Sequence, residues 1–467
     1  MSDRDTPHDE ATELEAWQLD MQLRAAEGEG RLELAAPLAE RLFEIRDQKL
    51  GAFHPDTLAA ATTALTHYTK LTQWAAALGL LERLIDARML HGAEEPAALE
   101  KHLQGLSDLA RLLVDAGELD KARRAATKAL EIKRKTFGEG HLELASSFAL
   151  LADIELERGE LDSAADAALA VFEIRSKHLA THAADLYADA VRIGDIFAAM
   201  KDYEEARKSY RLAVDITARA LDSDPRKMGE ALLRYGRAAL AEEKPEFAER
   251  PLESALEMLE KASGPKDLSL IVVLDELGKA YLALDDYDAA EETFERMRDV
   301  YAAHYPPEST HCVVPRVHLA EVATKRGEHA RAAALYEEAL SIAEKEFGKE
   351  SLRLRVVLDR AAEARLEEGN LPRAKELSTW LLRLFEPHVA GPDDPALLPA
   401  VRKLADIALR EKLAGADDVH VEEVARLLDW ATRLMHAAAA QITAETEALK
   451  AKRAQAQEEE SGERSGE

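Results

Sequence analysis

The chain has 467 residues but only 22 glycines and 16 prolines, too few turn formers for a many-stranded fold of that length. Apolar residues, 47% of the total, suffice for a large core, and 90 acidic against 61 basic side chains give a net charge of −29 that repels nucleic acid and anionic membranes. The single cysteine, Cys312, can form neither an internal disulfide nor, by itself, a zinc site, and there is no basic-then-apolar leader and no run of about 18 apolar residues, so a cytoplasmic protein is expected.

Residues 1–10 are polar and are expected to be disordered. From there a single unit recurs. An alanine follows a short turn in Gly30-Arg31-Leu32-Glu33-Leu34-Ala35, and again in Gly117-Glu118-Leu119-Asp120-Lys121-Ala122 and Gly159-Glu160-Leu161-Asp162-Ser163-Ala164. The full series is Ala35, Ala77, Ala122, Ala164, Ala206, Ala248, Ala290, Ala332 and Ala374, every step 42 residues except that from Ala77 to Ala122, which implies a three-residue insertion near His91-Gly92-Ala93. A second column, Ala110, Ala152, Gly194, Gly236, Gly278, Ala320 and Ala362, is small throughout and keeps the same 42-residue step. Small residues at fixed points let two helix backbones approach closely, while large neighbours such as Leu109, Leu151 and Ile193 fill the groove around them.

Within a unit the apolar spacing is helical. Leu103, Leu106, Leu109, Ala110 and Leu113 follow the spacing of one helix face, and after the turn at Gly117 so do Ala122, Ala126, Ala129 and Leu130. Gly117, Gly159, Gly327 and Gly369 stand where the first helix of a pair must end, a place for a left-handed cap. Thr72, Lys201, Glu243 and Asp285 replace that glycine in other units, where a less tightly specified turn is expected. Loops such as Phe137-Gly138-Glu139-Gly140-His141 and Phe347-Gly348-Lys349-Glu350 join the units and stay in register.

Near the C-terminus the register slips at Leu404-Ala405, and a longer connection, Gly415-Ala416-Asp417-Asp418, precedes a helix through Val424, Leu427, Leu428, Ala431 and Leu434. A distorted last unit suits the end of a stacked array, which must turn a polar face to water. After Gln441 the chain is polar and helix-prone, and Glu458-Glu459-Glu460-Ser461-Gly462 is expected to be a disordered tail. The division is therefore 1–10, a repeat array over 11–440 of about nine regular units and one degenerate unit, and a helical extension with an acidic tail over 441–467.

Helix pairs with small residues at two fixed points, joined by loops like Gly51-Ala52-Phe53-His54-Pro55-Asp56-Thr57, resemble the tetratricopeptide repeat (TPR) in the 42-residue form of kinesin light chains. The stretch from Gly30 through Pro37-Leu38 to Phe43-Glu44-Ile45-Arg46 resembles that form closely, and the likeness covers roughly residues 12–440. It implies an all-α, TPR-like α-solenoid, a right-handed superhelix of stacked helix–turn–helix pairs with the first helices lining a concave channel. Kinesin-light-chain repeats usually carry asparagines just before the Leu-Ala pair of the first helix, which contact a bound peptide backbone. Here that position reads Asp108, Leu150, Arg192, Arg234, Glu276, His318 and Arg360.

Motifs for metal-dependent hydrolysis, phosphate binding, dinucleotide binding and a serine elbow do not occur. Ser263-Gly264-Pro265-Lys266 matches Ser-x-x-Lys, but glycine and proline interrupt the helical turn that pairing a serine with its lysine needs. Trp74 takes the slot of Leu119 and Tyr203 in other units and reads as core, whereas Trp17, Trp380 and Trp430 are more open. His141 and His311 read as turn or capping residues, and Cys312 beside His311 supplies two potential ligands and no more.

The residues before and after each Leu-Ala pair lie about 150° from the buried seam. They read Asp108/Arg111, Leu150/Asp153, Arg192/Asp195, Arg234/Arg237, Glu276/Lys279, His318/Glu321 and Arg360/Glu363. Pairing of Arg192 with Asp195 and of Arg360 with Glu363 is the bland expectation, while Arg234 and Arg237 have no acid within their own pair of positions. The resulting expectation is a non-enzymatic scaffold or adaptor without cofactor. It would bind a peptide or helix of another protein in the concave channel, with an acidic or C-terminal carboxylate motif anchored by Arg192, Arg234, Arg237, Lys279, His318 and Arg360. A regulatory sensor for a signalling peptide or small ligand is the alternative, and an enzyme with an unrecognised site a third.

Overall fold

The computed structural model describes residues 7–51, 54–80, 83, 96–221, 224–414 and 421–464, which are helical apart from turns and short connections. The chain divides into two compact units, Met1–Ala238 and Ala239–Glu467. The first holds α1 (Pro7–Gly28), α2 (Leu32–Leu50), α3 (Pro55–Lys70), α4 (Pro96–Asp115), α5 (Leu119–Phe137), α6 (Glu143–Arg158), α7 (Leu161–Ser176), α8 (Leu179–Ala199) and α9 (Tyr203–Ala220). The division falls in the last turn of α10 (Pro225–Ala241). The second holds α11 (Glu249–Ser263), α12 (Leu270–Ala283), α13 (Tyr287–His304), α14 (Val313–Lys325), α15 (His329–Phe347), α16 (Arg355–Glu368), α17 (Leu371–Phe385), α18 (Leu398–Leu413) and α19 (Val421–Arg464). In each unit helices pack chiefly on their neighbours in sequence, α7 on α6 and α8 in the first, α16 on α15 and α17 in the second. This is the nearest-neighbour pattern of a stacked repeat.

The two small-residue columns are the seams of these pairs. All nine alanines from Ala35 to Ala374 are fully buried, as are Ala110, Ala152, Ala320 and Ala362. Two glycines of the second column, Gly194 and Gly278, have a steric reason. A methyl group on Gly194 would overlap the Tyr210 ring, and one on Gly278 the Phe294 ring. Sixteen residues after Ala110, Ala152 and Ala362 stand Ala126, Ala168 and Ser378, where Gly194 and Gly278 are followed by Tyr210 and Phe294; Gly236, followed by Leu252, and Ala320, followed by Tyr336, depart from this pattern. At Gly194 and Gly278 glycine therefore stands where the second helix brings a ring across the seam.

The turn inside each pair corrects the sequence reading. Gly117, Gly159, Gly327 and Gly369 have φ of 76°, 80°, 77° and 87°, but Thr72, Lys201, Glu243 and Asp285 adopt 56°, 63°, 59° and 60°, the positive-φ non-glycine positions among the described residues. The turn is as tightly specified without glycine as with it. Its cause is a pair of backbone hydrogen bonds: the Gly159 N–H donates to Leu156 O (3.0 Å) and the Glu160 N–H to Glu155 O (2.9 Å), matched by Lys201 to Ala198 (3.0 Å) and Asp202 to Phe197 (2.9 Å). The next residue also starts the second helix, for the side chains of Asp202, Asp286 and Asn370 accept from the N–H groups of Glu205, Ala289 and Arg373. One short turn thus closes one helix and opens the next, which fixes the angle of the pair.

At the ends, α1 begins at Pro7, inside the segment expected to be disordered, and α19 runs on as helix through Glu458-Glu459-Glu460 to Arg464 where a disordered tail is expected. The insertion near His91 and the Gly415–Asp418 connection lie outside the described residues.

Candidate functional site

Helix geometry leaves one face of each first helix clear of its partner, and in the first unit that face forms a groove of about 460 Å³ along α6, α8 and α10. Leu156, Tyr187, Val191 and Ile196 give it an apolar floor, and Asp153, Arg192, Asp195, Glu230 and Arg234 line it with charge. Tyr187 is anchored by its hydroxyl, which donates to Lys227 O at 3.1 Å, and burial together with Glu230 pushes its pKa up to about 12.

The charges are arranged between repeats rather than within them. Arg192 Nη1 lies 2.5 Å from Asp153 Oδ1 and donates to Ala149 O at 3.3 Å. One repeat further, Arg234 Nε lies 3.6 Å from Asp195 Oδ1, and Asp195 also accepts from the Tyr210 hydroxyl at 2.7 Å. The expected Arg192–Asp195 pair is therefore replaced by a diagonal ladder in which each arginine reaches the acid of the preceding first helix. Arg192 and Arg234 keep about a third of their side chains exposed (36% and 37%), and Arg237 is exposed on the next turn.

In the second unit the same column is more self-contained. Lys279 Nζ pairs with Asp275 at 2.5 Å, and His318, stacked on Phe294 at 4.5 Å, holds its Nε2 2.8 Å from Asp275 Oδ1 and its Nδ1 3.7 Å from Glu321. Arg360 faces Glu363 at 4.0 Å, as the sequence suggests. Lys403, a residue the sequence reading passes over, reaches Asp359 at 2.8 Å. Burial disfavours a charged His318 ring, but Asp275 and Glu321 outweigh it and raise its pKa. Burial likewise opposes ionisation of Asp275, yet His318 and Lys279 hold its carboxyl below the usual range.

A histidine whose pKa is raised on folding adds stability that is complete below its unfolded value of about 6.5 and is lost as pH rises through the folded value. His318→Gln is accordingly expected to cost more stability at pH 6 than at pH 8. Urea midpoints of both proteins at the two pH values check this, and an equal cost at both would contradict it.

Other singled-out residues have structural partners. Trp74 packs against the core of the first unit, and the indole N–H groups of Trp380 and Trp430 donate to Lys349 O (2.9 Å) and Pro392 O (2.6 Å). Trp17 is 62% exposed. His141 Nδ1 accepts from the Glu143 N–H at 3.3 Å as a cap, and His311 stacks on Tyr305 at 4.0 Å. Cys312 is buried, and among the described residues no group of three or more His, Cys, Asp or Glu side chains is placed to hold a metal ion. Nor is any described helix long and apolar enough to cross a membrane.

One apolar feature of this face went unread in the sequence. Val272, Val314 and Val356 recur at the 42-residue step and are 48%, 41% and 53% exposed. Each lies one turn before Glu276, His318 or Arg360 on the same face of its first helix. The signal was available as a column, but hydrophobic periodicity within one helix does not reveal it.

The tetratricopeptide repeat model matches residues 102–177, 186–261, 228–303 and 314–386, together more than half of the chain. No curated protein matches the sequence. Among solved structures the chain is similar to the nearly identical TPR-like repeats of a putative kinesin light chain from Podosopora anserina, at 20% identity, 44% of this chain, 97% of that one and a TM-score of 0.41. It is also similar to the apo form of RapI, at 15% identity, 79% and 97% coverage and a TM-score of 0.44. A third is the signal transduction ATPase with a tetratricopeptide repeat sensor from Pyrococcus horikoshii, at 13% identity, 87% and 56% coverage and a TM-score of 0.47. With four matched stretches laid over helix pairs that share buried small-residue seams and left-handed turns, the chain belongs to the tetratricopeptide repeat family.

Proposed function

We propose that this chain is a non-enzymatic scaffold that holds a segment of another protein on the face formed by its first helices. Tetratricopeptide repeat proteins generally mediate protein–protein interaction, and the observation that carries the reading here is the groove along α6, α8 and α10, apolar at its floor with Arg192 and Arg234 about one-third exposed at its rim. Exposed ion pairs are worth only about 0–1 kcal/mol. Exchanging Asp153 or Asp195 for a carboxylate of the partner therefore costs little, and arginine suits bidentate capture. Arg192, Arg234 and Arg237 are the proposed anchors in the first unit, and Lys279, His318 and Arg360 the corresponding positions in the second.

The valine row of the second unit supports an extended partner. Neighbouring packed helices lie roughly 10 Å apart, and an extended chain rises about 3.3 Å per residue. One valine per repeat thus meets every third residue of such a segment. Gripping side chains in this way replaces the asparagines that would hold a peptide backbone.

The test is Arg234→Glu combined with Arg237→Glu, assayed against the partner recovered by affinity purification from the native cell. Affinity is expected to fall at least tenfold, since hydrogen bonds to charged groups are worth about 1.5–3 kcal/mol, while stability changes by only about 0.5 kcal/mol. Undiminished binding would overturn the assignment.

A further inference from the structure

The 44-residue helix α19 carries two apolar faces, and only one of them is used by its own unit. Val424, Ala431 and Leu434 are buried against the preceding elements, Leu434 completely. Val421, Leu428, Met435 and Ile442, spaced seven residues apart, are 68%, 44%, 48% and 64% exposed. Ala425, Thr432, Ala439 and Thr446 interleave with them at the same seven-residue step and are exposed as well. Alternating steps of three and four residues define the a and d positions of a heptad, the seam of a two-stranded coiled coil. Here the d positions are large and apolar and the a positions are small, so a facing helix can approach closely. The two threonines are no obstacle, because Thr432 Oγ1 donates to Leu428 O at 2.8 Å and Thr446 Oγ1 to Ile442 O at 2.7 Å, which leaves both hydroxyls satisfied when buried.

We infer that this face pairs with the same helix of a second copy of the chain, parallel and in register. Charge selects that occupant. Glu445 falls at a g position and Lys450 at the following e position, the two places that meet across a parallel pair, and both are exposed. Each copy therefore offers its partner an opposite charge at the same height. Isolated helices of this composition are marginal in water, and from Ala439 to Ala448 every residue of α19 is exposed. A second helix along the seam supplies the burial that this stretch lacks within one chain. Pairing at α19 leaves the groove on α6, α8 and α10 of the first unit to its own ligand and does not depend on how that groove is read.

Light scattering after size exclusion tests the inference on the full chain. At tens of micromolar the expected mass is twice the 51.5 kDa of one chain. Met435→Lys with Ile442→Lys is expected to give a single-chain mass while the far-ultraviolet circular dichroism and melting of the helix pairs persist. A monomeric unmodified chain, or a double variant that stays dimeric, would overturn the pairing. Ala439→Cys reports on direction, since two copies of that a position face each other in a parallel, in-register pair. Rapid disulfide formation under mild oxidation is expected, and a dimer that forms none would overturn the parallel arrangement.

Discussion

Gly278→Ala is expected to destabilise the protein by about 1–3 kcal/mol, although the same change in an unconstrained helix gains about 0.5–1 kcal/mol. The added methyl would occupy the space of the Phe294 ring, and that ring is fully buried and stacked on His318. The cost belongs to the pair of residues, so it should vanish when the ring does. In a Phe294→Ala background Gly278→Ala should be neutral or stabilising, since the double variant recreates the Ala110 and Ala126 combination found earlier in the chain. Urea unfolding of the four proteins of this cycle measures the coupling, and equal costs in both backgrounds would show that the ring is not the reason for the glycine.

Lys201→Gly and Glu243→Gly are expected to raise stability by about 0.5–1 kcal/mol each. An L-residue in the left-handed region costs roughly 1–2 kcal/mol, from which the extra unfolded-state freedom of glycine subtracts about 0.5–1 kcal/mol. Each turn is closed by its own backbone hydrogen bond, Lys201 N–H to Ala198 O and Glu243 N–H to Leu240 O, so the gains should add to about 1–2 kcal/mol. Gly159→Ala, in the same turn one repeat earlier, should lose a comparable amount. Melting temperatures that fall in the glycine variants would mean that the side chains of Lys201 and Glu243 contribute more than their backbone strain.

Most of the fold was legible because burial at a seam tolerates only small residues, and a 42-residue column of them survives any local change of helix propensity. The same reasoning misjudged the turns. It assigned conformation to residue type, whereas at Thr72, Lys201, Glu243 and Asp285 the backbone hydrogen bonds that close the first helix impose the conformation on whatever residue stands there. The candidate site was half legible. The columns before and after each small residue identify the open face, but pairing Arg192 with Asp195 along one helix overlooked how near the preceding first helix lies, and the contact runs to Asp153 instead. The diagonal is visible in hindsight as Asp153 then Arg192, and Asp195 then Arg234. The exposed seam of α19 had its residues in view, but Leu428 was grouped with the buried Val424 and Leu434, since one helical spacing serves both faces and only packing separates them.

The central claim is that the partner lies on the first helices, and a photo-crosslinking residue tests it most directly. Ala188 is exposed in the groove on α8, while Leu212, 37% exposed, stands on the second helix α9. With the crosslinker at Ala188 the native partner should be captured covalently, and with it at Leu212 it should not. Capture at Leu212 and none at Ala188 would place the partner on the opposite face and contradict the account.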